Sequence, residues 1–139
     1  MKASTFVEKV FYDEGNGGSM AKKILVVDDS TAIRQSVSFI LEQDGHVVEQ
    51  AEDGLEALGK IDGVQFDMII TDVNMPNLDG IEFTRKAREN SSYKFTPIVV
   101  LTTESQSGKM TAGKEAGATG WIVKPFDAEK LRAVVRKLL

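Results

Sequence analysis

The sequence predicts an α/β fold, a doubly wound sheet of five parallel strands with helices on both faces. Three observations carry this expectation. From Lys23 onward, short apolar runs alternate five times with amphipathic segments. The central runs contain no polar interruption, the pattern of parallel strands buried on both faces. Crossovers between such strands are right-handed and place helices on each side of the sheet.

The first strand is predicted at 23–28, where Ile24-Leu25-Val26-Val27 runs into Asp28. A helix follows over 31–44, with Ile33, Val37, Ile40 and Leu41 at i, i+4, i+7 and i+8 as one apolar stripe. Ser30 is placed to cap its start, and Gly45 follows its end. The second strand is predicted at 46–51 and the second helix at 54–62, with Asp53 and Glu56 spaced as a capping box. A third pair spans 67–72 and 79–90, and a fourth spans 97–102 and 106–116. Gly108 weakens the start of that fourth helix, after the polar stretch Glu104-Ser105-Gln106-Ser107. The last strand lies at 120–124. The last helix, 128–138, is capped by Asp127 and buries Leu131, Val134, Val135 and Leu138.

Residues 1–19 read as a separate piece ahead of a domain at 20–139. Phe6, Val7, Val10, Phe11 and Tyr12 form a short apolar cluster, and Gly15-Asn16-Gly17-Gly18-Ser19 has linker composition. Met20-Ala21-Lys22-Lys23 resembles a natural start. The first segment is then an appendage or mis-assigned start, or else a tethered peptide. Five linker residues reach only roughly 12 Å as a random coil. A tethered peptide would therefore dock close by or on another copy, giving self-association.

With 139 residues, 42% hydrophobic and 27% charged, the chain suits one domain with a single core. A net charge of −4 argues against a broad nucleic-acid surface, which carries a basic excess. The absence of cysteine excludes disulfides and thiolate metal sites and fits a reducing compartment. No apolar stretch approaches the roughly 18 residues that span a bilayer, and no signal-peptide pattern opens the chain. The expectation is a soluble cytoplasmic protein with neither nucleic acid nor membrane as partner.

The chemistry-bearing residues stand at the carboxyl ends of the predicted strands, where open α/β sheets bind ligands. Asp28 and Asp29 follow the first run, Asp72 the third, Thr102 the fourth and Lys124 the last. In the strand order 2-1-3-4-5 the first and third strands are neighbours, so the three acids come close. Two like charges 4 Å apart repel by about 4 kcal/mol at an effective dielectric of 20. Three acids therefore favour either a raised pKa or a divalent cation. With oxygen ligands and no His or Cys nearby, Mg²⁺ is the natural ion. Asp72 is the candidate nucleophile, because a carboxylate can attack a phosphoryl group to give an aspartyl phosphate. Lys124 can supply a cation to one phosphoryl oxygen, and the Thr102 hydroxyl can donate to another. A lone strand-end Thr is usually a turn residue and a lone Lys usually a solvated one; their force comes from convergence. His46, the only histidine, lies far from this cluster and reads as a surface residue.

Three stretches carry a family resemblance: Ile24-Leu25-Val26-Val27-Asp28-Asp29-Ser30, Thr71-Asp72-Val73-Asn74-Met75-Pro76-Asn77-Leu78-Asp79-Gly80, and Gly117 through Phe126 with Lys124-Pro125. With Thr102 between them, residues 20–139 resemble a two-component response-regulator receiver domain of the single-domain chemotaxis type, a flavodoxin-like (βα)5 fold. The resemblance implies Asp72 as phosphoacceptor, with Asp28, Asp29, Asp72 and the main-chain carbonyl of Asn74 as Mg²⁺ ligands. It implies a cis Lys124–Pro125 bond, and roles for Thr102 and Lys124 at the phosphate. It further implies a switch in which Thr102 moves and Trp121 turns inward, at a position where Tyr or Phe is more usual. The implied partners are a histidine kinase or His-phosphotransfer protein, and a downstream target on the face made by the fourth helix, fifth strand and fifth helix. The stretch 104–107 would be the part whose order changes on phosphorylation. Asn74 and Thr103 flank the site and should influence hydrolysis of the phosphoryl group.

Other classes fit less well. Phosphohydrolases with an aspartyl-phosphate intermediate place Asp-x-Asp after the first strand, whereas Asp72-Val73-Asn74 follows the third. A flavodoxin-type electron carrier would need amides and hydroxyls where this chain has the acidic loop after strand one. No segment follows the last helix, so output is expected through protein contact, as a chemotaxis-type regulator or a phosphorelay intermediate or phosphate sink. It would not be a turnover enzyme.

Overall fold

The computed structural model describes residues 21–103 and 107–139. The expectations for residues 1–19 and for 104–106 lie outside the described residues. Elements alternate as β1 (Lys23–Val27), α1 (Thr31–Gln43), β2 (Val47–Ala51), α2 (Gly54–Gly63), β3 (Met68–Asp72), α3 (Gly80–Glu89), β4 (Ile98–Thr103), α4 (Ser107–Ala116), β5 (Gly120–Lys124) and α5 (Ala128–Leu138). The strands form one parallel sheet in the order β2-β1-β3-β4-β5. The five strands and five α-helices agree in identity with the sequence expectation, and their ends move by one residue or so.

Alternation along the central strands divides the core between the two faces. Ile24 and Val26 on β1 join Met68 and Ile70 on β3 beneath α1 and α5, which contribute Val37, Leu41, Leu131 and Val135. Leu25, Val27 and Ile69 point the other way, onto Ala57 and Ile61 of α2 and Phe83 of α3. Each fully buried Leu, Ile or Phe contributes about 1.5–3 kcal/mol relative to exposure. A smaller cluster of Val73, Ile81, Val100 and Ala116 continues this face toward α4.

The helix caps follow from side chains that satisfy first-turn amides. Ser30 Oγ accepts from Ile33 N–H, and Asp127 Oδ1 accepts from Lys130 N–H. Asp53 caps α2 as expected, through Glu56 N–H. The return bond of its capping box goes elsewhere: Glu56 Oε1 accepts from the amide of Glu52 at 2.7 Å, one residue earlier than a standard box.

One element was not anticipated. Ser91–Tyr93 forms a single 3₁₀ turn, started by Asn90 accepting from Ser92 N–H. Tyr93 is fully buried there, and its hydroxyl bonds the Val64 carbonyl and the Phe66 amide. The neighbouring Arg88 donates to the carbonyls of Tyr93, Thr96 and Gly117 at 2.6, 2.7 and 2.8 Å. That guanidinium ties the end of α3 to the start of β4 and to the turn before β5.

His46 is also more engaged than a surface residue. It is half-buried, and its Nδ1 accepts from Lys22 N–H at 3.2 Å. None of the described helices is long and apolar enough to cross a membrane.

Candidate functional site

β1 and β3 are hydrogen-bonded neighbours, so their carboxyl ends deliver Asp28, Asp29 and Asp72 to one edge of the sheet. Carboxylate oxygens of the three acids all lie within 4.8 Å of one another. Asp28 is fully buried, Asp72 nearly so, and Asp29 is exposed. Asp28 is held at every oxygen. Its Oδ1 accepts from Ser30 N–H at 2.9 Å, its Oδ2 faces Lys124 Nζ at 3.3 Å, and its carbonyl accepts from Arg34 Nη1 at 2.6 Å. Arg34 is itself held by Gln50 Oε1 on β2 and by Thr31 Oγ1.

Lys124 reaches across from β5 to place its ammonium 3.1 Å from Asp72 Oδ1 and 3.3 Å from Asp28 Oδ2. Burial acts against the charge on Lys124, but its bonds and ion pairs with Asp72 and Asp28 outweigh this, and its pKa lies above the usual lysine value. Asp72 behaves in the opposite way. Burial and the charge of Asp28 push its pKa above the usual carboxylate value, and the nearby ammonium only partly offsets them. The cluster holds more negative charge than Lys124 neutralises. Three carboxylates whose oxygens lie this close, with one ammonium among them, form an all-oxygen donor set whose mutual repulsion a hard divalent cation relieves, so the residues fit Mg²⁺.

Two glycines let the backbone close at the two ends of the loop that follows Asp72. A Cβ at Gly80 would fall inside the van der Waals envelope of the Asp72 carbonyl oxygen, and Gly80 N–H donates to Val73 at 2.8 Å. Gly54 N–H donates to Leu78, with no room for a Cβ between them. The β3–α3 loop that carries Asn74 therefore packs between the end of β3 and the start of α2.

The remaining expected residues take separate places. Thr102 is buried on β4, one position beyond the Leu101 that pairs with Asp72, and its hydroxyl donates to the Thr103 carbonyl at 3.2 Å. Asn74 is exposed, two residues past Asp72. Trp121 is 42% exposed on the edge strand β5, paired with Val100, three residues back from Lys124 and outside the acidic cluster. The Lys124–Pro125 bond is cis. Beside it, Ile33, Ser36, Val37, Thr103, Lys124 and Phe126 line a cleft of about 380 Å³. Sequence reasoning missed Arg34 and the Asn77–Asp53 bond of 2.7 Å. The available signal was the Pro76-Asn77 dipeptide, a turn-forming pair whose Asn takes a φ of 70° in the structure.

Residues 24–136 match the family described as the response regulator receiver domain. The chain belongs to that family. Receiver domains are signalling modules of two-component response regulators. The solved structure of the chemotaxis response regulator CheY4 of Vibrio cholerae is 51% identical, with a TM-score of 0.82. The match covers 86% of this receiver domain's chain and 100% of that one. Response regulator MprA of Mycobacterium ulcerans (strain Agy99) is 43% identical over 120 residues, which are 86% of this chain and 51% of that protein. The transcriptional regulatory protein ResD of Bacillus subtilis (strain 168) is 40% identical over 117 residues, 84% of this chain and 48% of that one. The chain spans about half the length of these curated relatives.

Proposed function

We propose that this receiver domain accepts a phosphoryl group on Asp72 from a histidine kinase or His-phosphotransfer protein and uses it to switch a protein-binding face, in chemotaxis-type signalling in the cytoplasm. One observation carries the reading. Lys124 Nζ bridges Asp28 and Asp72 within a three-acid cluster at the carboxyl edge of the sheet.

The chemistry follows from the chain's own groups. A carboxylate oxygen of Asp72 attacks the donor phosphorus; the new O–P bond forms as the donor's P–N bond breaks, and the leaving imidazole takes a proton. Lys124 is placed to donate to a phosphoryl oxygen in the same reach it uses for Asp72, and charge placed before reaction needs no reorganisation. The Thr102 hydroxyl would turn from the Thr103 carbonyl to another phosphoryl oxygen. Mg²⁺, held by Asp28, Asp29, Asp72 and the Asn74 carbonyl, would supply positive charge against the oxygens of the transferring group. Trp121, at the start of β5, is the residue whose packing would report the switch to a target on the face of α4, β5 and α5. A bistable element biased by contacts to the phosphoryl group suffices for that coupling.

The similarity to CheY4 supports the chemotaxis reading over a phosphorelay intermediate or phosphate sink. The test is intact-mass analysis after acetyl phosphate treatment. Addition of one phosphoryl group per chain, abolished by a chelator and by Asp72→Asn, is the expected result. Equal labelling of the variant would remove Asp72 from its role. Sustained turnover of the donor would point to a phosphohydrolase.

A further inference from the structure

We infer that Asp53 and Asn77 form a positioning latch: they fix the β3–α3 loop, and through it the Asn74 carbonyl, for the cation that assists phosphorylation of Asp72. This rests on the reading of the site proposed above.

The loop is held at both ends. Gly80 N–H closes onto the Val73 carbonyl at 2.8 Å, which anchors it on β3. At its far side Asn77 has a φ of 70°, in the left-handed region that Asn and Asp enter more readily than other side chains. A three-residue turn there joins Leu78 N–H to the Pro76 carbonyl at 2.7 Å. From that turn Asn77 Nδ2 donates to Asp53 Oδ2 at 2.7 Å, while the next carbonyl, of Leu78, accepts from Gly54 N–H at 3.1 Å. The Asp53 carboxylate is divided between two tasks: Oδ1 caps α2 at Glu56 N–H, and Oδ2 holds Asn77. Neither residue belongs to the three-acid cluster. Their influence on the site therefore runs through the loop.

This division makes the test specific. An asparagine at position 53 has a single acceptor oxygen, so it can cap the helix or hold Asn77, but not both. An aspartate at position 77 sets two carboxylates against each other. Combining Asp53→Asn with Asn77→Asp restores the pair with donor and acceptor exchanged, and the cap survives because asparagine caps as well as aspartate.

The experiment measures Mg²⁺ affinity by calorimetry and the rate of Asp72 phosphorylation by phosphoramidate at saturating Mg²⁺, with thermal unfolding of every protein. Each single variant is expected to weaken Mg²⁺ binding on the order of tenfold, as loss of an outer-shell partner typically does. The rate at saturating Mg²⁺ should stay near the parent's, and the double variant should recover parental affinity. A role through charge alone predicts opposite effects: Asp53→Asn would weaken binding and Asn77→Asp would tighten it. That pattern, or single variants with parental affinity, or a double variant no better than its parts, overturns the latch. Should a single variant melt well below the parent, Asn77→Gly keeps the φ, removes only the amide and carries the same expectation. A parent that binds no Mg²⁺ or takes no phosphoryl group on Asp72 removes the site reading and the latch with it. An active parent with unaffected variants removes the latch alone.

Discussion

Asp72 sits in surroundings that its own charge opposes. Burial first, and the Asp28 carboxylate second, hold its folded-state pKa above that of the unfolded chain, despite Lys124. The folded state then binds a proton where the unfolded state does not, so stability falls as pH rises through the unfolded pKa to the folded one, and the cost is complete above the folded value. Asp72→Asn is therefore expected to raise the melting temperature of the protein in chelator at pH 7. The gain should vanish below about pH 4, where both forms are neutral in the unfolded chain. Calorimetry across that range checks it, and a variant that melts lower than the parent at pH 7 would show that the ion pair with Lys124 dominates. His46 titrates with the opposite sign. Burial, reinforced by Lys22 and opposed by Asp44, depresses its pKa, and its Nδ1 must stay unprotonated to accept from Lys22 N–H. The associated stability is present above the unfolded pKa of about 6.5 and lost as pH falls through the folded value. His46→Asn, which can offer an amide oxygen in place of Nδ1, should flatten the loss of stability between about pH 7 and 5. An unchanged pH profile would leave the ring without that role.

At the scale of elements, the junction of β3 with α3 bears the most constraint. Gly80 lies so close to the Asp72 carbonyl that a methyl group there requires backbone movement, and the same residue donates to Val73 and begins α3. Gly80→Ala is expected to cost about 3 kcal/mol or more and to lower the rate of Asp72 phosphorylation in the folded fraction. Chemical denaturation and intact-mass kinetics would show both, and a variant with parental stability would mean the loop yields easily. The strands and helices themselves were legible because uninterrupted Ile, Leu and Val runs ending in Asp or Lys admit few other readings. The convergence of Asp28, Asp29, Asp72 and Lys124 followed from strand ends alone. The contacts that brace the cluster were not legible, because Arg34–Gln50 and Asp53–Asn77 join elements distant in sequence through polar side chains with no periodicity. The 3₁₀ turn at Tyr93 was hidden for a similar reason: its stability comes from burial against Val64 and Phe66 and not from the local Ser-Ser-Tyr sequence.

Across the whole molecule, parallel strands order the acids on one edge while the helices shield two of them from water, so the folded domain carries an electrostatic cost that the unfolded chain does not. A cation taken up only by the folded state returns part of that cost, by RT ln(1 + [L]/Kd). At a Mg²⁺ concentration ten times its Kd this is about 1.4 kcal/mol, or roughly 5 °C in Tm. Because Asp72 retains its proton more readily than an ordinary carboxylate, protons compete with the cation, and the shift should shrink as pH is lowered toward the carboxylate range. Replacing the buried Asp28 by Asn should remove most of the shift, since Asp28 and Asp72 face each other across the Lys124 ammonium. Thermal unfolding in MgCl₂ against NaCl of equal ionic strength separates site binding from general screening. Equal shifts in the two salts, or a full Mg²⁺ shift in Asp28→Asn, would show that the edge of the sheet holds its acids without a cation.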